Sequence, residues 1–159
     1  MNTLAILQHG HRTVLDAVEP LPESAWHAPN VCGVWSVKDI FAHLASLERV
    51  LVEVLKHTSG EPAGALLESF HTRADFNDLQ VEARKSKTAA EVLDDYEGAH
   101  EEVMTLAATF PKDTFREVGT LPWYGPEYSL DDLIVYAYYG HKREHAAQIK
   151  RYRYAVATV

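Results

Sequence analysis

Four segments of this chain carry apolar residues at spacings of three and four, and each is opened by a capping residue or closed by proline or glycine. Such a pattern leaves little room for anything but helices packed on helices. Residues 3–19 put Leu4, Leu7, Val14, Leu15 and Val18 on one stripe, and Pro20 and Pro22 end it. Ser36, with Asp39 three residues on, opens a second segment through Val37, Ile40, Phe41, Leu44, Leu47, Leu51 and Leu55, closed by Thr58-Ser59-Gly60. Thr88 and Glu91 open a third through Val92, Tyr96, Ala99, Val103, Leu106 and Phe110, stopped by Pro111. Ser129 and Asp132 open a fourth, from Leu130 to about Tyr152, with Leu130, Ile134, Ala137, Tyr138, Ile149 and Tyr152 on one face.

No segment alternates like a strand with an Asn-Gly or Asp-Gly turn, and no repeat of fixed period appears. The reading is all-α: a four-helix bundle forming one domain over residues 1–159, a length that can bury a core without staples. Residues 61–87 form a connection between helices two and three long enough for a crossover, with room for a short helix over Phe76–Arg84. Residues 111–128 form a second long connection, rich in Pro and Gly, whose Trp123 and Tyr124 could line the mouth of a pocket.

Charge narrows the partners. Fifteen Lys and Arg against 23 Asp and Glu leave a formal −8, which argues against a nucleic acid or an anionic membrane surface. No apolar run approaches the ~18 residues of a membrane span. A lone cysteine, Cys32, and an N-terminal stretch interrupted by His9, His11, Arg12, Asp16 and Glu19 predict a cytoplasmic protein. Cys32 reads as a small buried hydrophobe.

Histidine carries the chemistry. His141 and His145 are four residues apart, so both imidazoles share one side of the fourth helix, in the middle of its apolar stripe. Two adjacent buried imidazoles resist double protonation and, when neutral, make a good pair of metal ligands. His43, at the edge of the second helix's stripe, offers a third nitrogen, and three imidazoles leave an ion open positions for water or substrate. The same residues also fit core histidines satisfied by a backbone carbonyl or a tyrosine. His11 lies in the first helix's stripe as a candidate pocket residue and His100 at the edge of the third's, while His9, His27, His57 and His71 read as surface or loop residues.

Two other metal patterns fit less well. His141-Lys-Arg-Glu144-His145 matches the H-x-x-E-H motif of inverted zinc proteases, but none of the fourteen residues after His145 is the acidic ligand that fold needs. Glu68-x-x-His71 and Glu97-x-x-His100 match half of a di-iron motif whose carboxylates must all face inward, and neither Glu68 nor Glu97 is so placed.

Trp35-Ser36-Val37-Lys38-Asp39-Ile40-Phe41-Ala42-His43-Leu44, followed downstream by His141-x-x-x-His145-Ala146-Ala147-Gln148-Ile149, resembles the DinB/YfiT superfamily of metal-dependent four-helix bundles. The resemblance implies an up-down-down-up bundle crossing over at 61–87, commonly a homodimer, with His43, His141 and His145 as ligands of nickel, zinc or iron. It also implies low-molecular-weight thiols as co-substrates, since members with assigned reactions are thiol-dependent S-transferases and isomerases. The extra C-terminal domain of the mycothiol-dependent isomerases has no counterpart here, which argues against that particular activity. Trp123-Tyr124-Gly125 also resembles the colibactin self-resistance branch, where a small electrophile is bound or hydrolysed.

The leading expectation is therefore a divalent-metal-dependent enzyme acting on a small molecule, a thiol transferase or a hydrolase. Glu48 is the nearest carboxylate to His43 in sequence, and no general base stands out. The alternative is a metal-free protein that binds and sequesters a small molecule.

Overall fold

The computed structural model describes residues 1–157, and among them it is helical with no strand. The chain divides into two compact units: Leu21–Leu106, and Met1–Pro20 together with the chain from Ala107 onward. No helix among the described residues is long and apolar enough to cross a membrane.

In the Leu21–Leu106 unit, α2 (Val37–Thr58) is the hub, with every residue from Val37 through Ser46 buried. Its start is the expected capping box: the Asp39 N–H donates to Ser36 Oγ and the Ser36 N–H to Asp39 Oδ2, both at 3.1 Å. The 61–87 connection is more ordered than its composition suggests, folding into α3 (Ala65–Thr72) and α4 (Phe76–Glu82), both packed on α2. Only α4 is legible in the sequence.

Helix α3 has no capping side chain of its own. The Leu67 N–H donates instead to Glu53 Oε2 of α2 (2.6 Å), and Gly64 lets the two helices close, because a Cβ there would collide with the Glu53 carboxylate. The third long helix, α5 (Ala89–Ala107), begins at the expected Thr88/Glu91 cap. Its Asp95 gathers Arg84 (2.8 Å) and Arg49 (2.9 Å), tying the 61–87 connection and α2 to α5.

In the other unit, α1 (Thr3–Val18) runs parallel to the last helix. Thr3 Oγ1 donates to Asp131 at one end (2.6 Å), Gly10 faces Tyr139 and Lys142 midway, and Arg153 donates to the Ala17 carbonyl (3.0 Å) at the other. The connection before the last helix holds a short α6 (Lys112–Arg116) with Phe115 buried, an element the Pro and Gly content of 111–128 conceals.

The last helix is longer than expected and not uniform. After α7 (Leu130–Leu133) comes a π-helical stretch, Ile134–Gly140, and then α8 (His141–Ala157). A wider turn shifts all later residues around the axis, so a stripe drawn at about 100° per residue does not carry through. Beyond the π stretch the buried residues are Lys142, His145, Ala146 and Ile149, while His141 and Tyr152 are half-buried. The expectation that both histidines sit inside one buried stripe therefore holds for His145 and is corrected for His141.

Candidate metal centre

The π stretch delivers His141 as the first residue of α8, and His145 follows one turn later. Their Nε2 atoms face each other at 2.9 Å, with the rings edge to face at a centroid distance of 4.4 Å. Burial, and after it the neighbouring His145 and Lys142 charges, pushes His141 down to about 4. Burial also lowers His145, against opposing effects of Gln148 and Glu144. Both rings are neutral near pH 7, the form that binds a cation.

Gln148 sets the orientation. The His145 Nδ1–H donates to Gln148 Oε1 at 2.8 Å, which fixes the tautomer and leaves the Nε2 lone pair pointing at His141. The Nε2 separation of 2.9 Å suits two imidazoles that share one ion at about 2.0–2.1 Å from each. The donors present therefore fit a divalent metal, and Gln148 is a supporting residue that spacing of histidines alone does not reveal.

His43 lies in the Leu21–Leu106 unit, buried on α2. Its ring packs against Trp35 at a centroid distance of 4.9 Å, and its carbonyl accepts from Ser46 Oγ at 2.7 Å. His11 is half-buried on α1. Trp123 is exposed and meets half-buried Tyr124 edge to face at 5.9 Å, and Tyr124 in turn packs on Tyr128 at 5.2 Å. Burial raises the Tyr124 hydroxyl pKa, reinforced by Tyr128 and Asp132.

His9, His27, His57 and His71 are exposed, as expected. The di-iron pattern has no support, because Glu68 and His71 both face solvent.

Sequence reasoning missed one pairing. Glu48, wholly buried on α2, lies 3.6 Å from Nδ1 of buried His100 on α5, and Tyr96 is buried beside them. Burial, then the Glu48 and Glu97 charges, raises the Tyr96 pKa well above its usual value. The signal was available: Glu48 sits four residues after Leu44 and three before Leu51, a carboxylate inside an apolar stripe.

Residues 7–128 match the family described as mycothiol maleylpyruvate isomerase N-terminal domain. The matched stretch contains His43 and ends before His141 and His145. No curated protein and no solved structure matches the chain.

Proposed function

The chain belongs to the mycothiol maleylpyruvate isomerase N-terminal domain family, within the DinB/YfiT-like superfamily of metal-binding helical proteins, and from that premise we propose a divalent-metal-dependent enzyme. Its substrate is a small molecule, its reaction thiol transfer or hydrolysis, and its ligands are His43, His141 and His145. The observation that carries this reading is the His141–His145 pair, neutral, facing at 2.9 Å and oriented by Gln148. Three neutral imidazoles are a donor set suited to a divalent ion, with positions left open for water or substrate.

When bound, such an ion lowers the pKa of a thiol or water toward neutrality and so supplies a nucleophile at neutral pH. The chain's own residues do the rest. Gln148 keeps the His145 proton on Nδ1, so that Nε2 offers a lone pair without a prior tautomer change. His141, held down to about 4, loses no proton to solvent when it becomes a ligand at neutral pH. His11, Trp123 and Tyr124 belong to this reading as pocket residues, and a low-molecular-weight thiol as co-substrate. An up-down-down-up bundle, homodimeric and cytoplasmic, completes it; the parallel run of α1 and α8 is the part of that topology on which it rests.

Elemental analysis of tag-free protein, purified without chelator or added metal beside His43→Ala and His145→Ala, tests the proposal. About one divalent ion per chain, lost in both variants, is the expected result. A metal-free protein that takes up no nickel, zinc or iron on titration overturns it, and stoichiometric protection against an electrophile by that metal-free protein would establish sequestration instead.

A further inference from the structure

Away from the histidines, the unit that holds α1 contains a cavity of about 240 Å³ between the start of α1 and the segment around α6. Its apolar part comes from Leu4, Ala107, Phe110 and Phe115, with the two phenyl rings 5.5 Å apart and Phe115 buried. Its charged part is Lys112 and Arg116, four residues apart and therefore on one side of α6. No acidic side chain lines the cavity, and among the described residues neither cation pairs with a carboxylate. Asp131, a buried acid, accepts a hydrogen bond from the lining residue Thr3 (2.6 Å).

In a chain with a formal charge of −8, two uncommitted cations over an aromatic floor form a selective arrangement. We propose that this cavity binds a small aromatic carboxylate. Arg116 presents a planar fork that a carboxylate can meet with two parallel hydrogen bonds, and Lys112 adds a point charge beside it. Phe110 and Phe115 give the ring of the ligand edge and face contacts. The volume lies below the roughly 300–1,000 Å³ of pockets for drug-sized ligands, which selects a single-ring acid over a nucleotide or a long acyl chain.

This binding site is separate from the histidine pair. Gly10 is the residue of α1 level with Tyr139 and Lys142, whereas the cavity is lined by Thr3 and Leu4, about 10 Å away along the helix at about 1.5 Å per residue. The inference therefore does not depend on the metal proposal.

The test is calorimetric titration of the full chain with benzoate, alongside benzamide as the neutral isostere and inorganic phosphate as an anion without a ring. Amide chemical shifts locate the binding. Saturable benzoate binding is expected, with shifts concentrated in residues 1–4 and 107–116. Benzamide and phosphate should bind at least about tenfold more weakly, and so should benzoate to Arg116→Gln. His145→Ala should bind benzoate unchanged, which separates this cavity from carboxylate coordination at a metal. Arg116 is exposed, so its variant should keep the parent's melting temperature. Absence of saturation, phosphate binding as tightly as benzoate, equal binding to Arg116→Gln, or loss of binding in His145→Ala would each overturn the proposal.

Discussion

Replacing Gln148 with leucine tests whether a supporting hydrogen bond, and not merely the presence of histidines, makes the candidate centre. The side chain keeps its bulk and loses the oxygen that accepts the His145 Nδ1–H at 2.8 Å. Without that acceptor the proton can move to Nε2, where it blocks the lone pair facing His141. Loss of such a partner typically weakens metal binding about 10–100-fold. At a metal concentration of about 100 times the parent dissociation constant, bound metal stabilises the native state by about 2.7 kcal/mol. At the same concentration the variant would gain only about 0.4–1.4 kcal/mol. For a domain of this size, 1 kcal/mol moves the melting temperature by about 2–4 °C, so the metal-induced rise should fall from about 5–11 °C to about 1–6 °C. The readout is the difference between melting curves with and without metal, because the variant also loses a neutral hydrogen bond worth about 1 kcal/mol in the metal-free protein. Gln148→Glu keeps an acceptor at the same place and should restore the full rise. A Gln148→Leu protein with an undiminished rise would refute the tautomer reasoning and leave the ligand set standing. A parent protein with no rise would refute the ligand set itself.

Gly10→Leu should cost about 1–3 kcal/mol in urea unfolding, because a Cβ there already stands 3.3 Å from Lys142 Cδ and 3.6 Å from the Tyr139 backbone; a change under about 0.5 kcal/mol would mean that α1 and the last helix separate freely. For Asp95, burial alone would raise the carboxyl pKa, but the hydrogen bonds from Arg84 and Arg49 outweigh it and the pKa is lowered. A depressed carboxylate contributes stability above its unfolded pKa of about 3.9, and that contribution disappears as pH falls through the folded value. Asp95→Asn should therefore cost about 1–2 kcal/mol at pH 7, a figure held down by the solvent exposure of Arg49, and progressively less as pH falls below the unfolded value and through the folded one. A cost as large at pH 3 as at pH 7 would contradict that assignment.

The parts of this protein that are written locally are the parts a reader of the sequence recovers. Helix periodicity relates a residue to those three and four positions away, and the caps at Ser36, Thr88 and Ser129 involve partners three residues on. The long helices and the adjacency of His141 and His145 follow from those short-range rules. Helix α3 does not, because the group that caps it, Glu53, is fourteen residues away from Leu67 and meets it only after the connection has folded back on α2. The Glu48–His100 pairing has the same character, since a buried carboxylate shows in the sequence while its partner, on another helix, does not.

The π stretch is the deepest of these differences. Composition and spacing over Ile134–Gly140 read as ordinary helix, and only packing selects the wider turn, with Gly10 of α1 lying against Tyr139 and Lys142. That turn decides which way α8 faces, and with it that Lys142 is buried while His141 stays half-exposed. The amino-acid order alone determined that the chain is helical and that two imidazoles lie one turn apart. Tertiary structure decided the phase in which they are presented and the amide that orients them, because both depend on contacts that no local periodicity encodes.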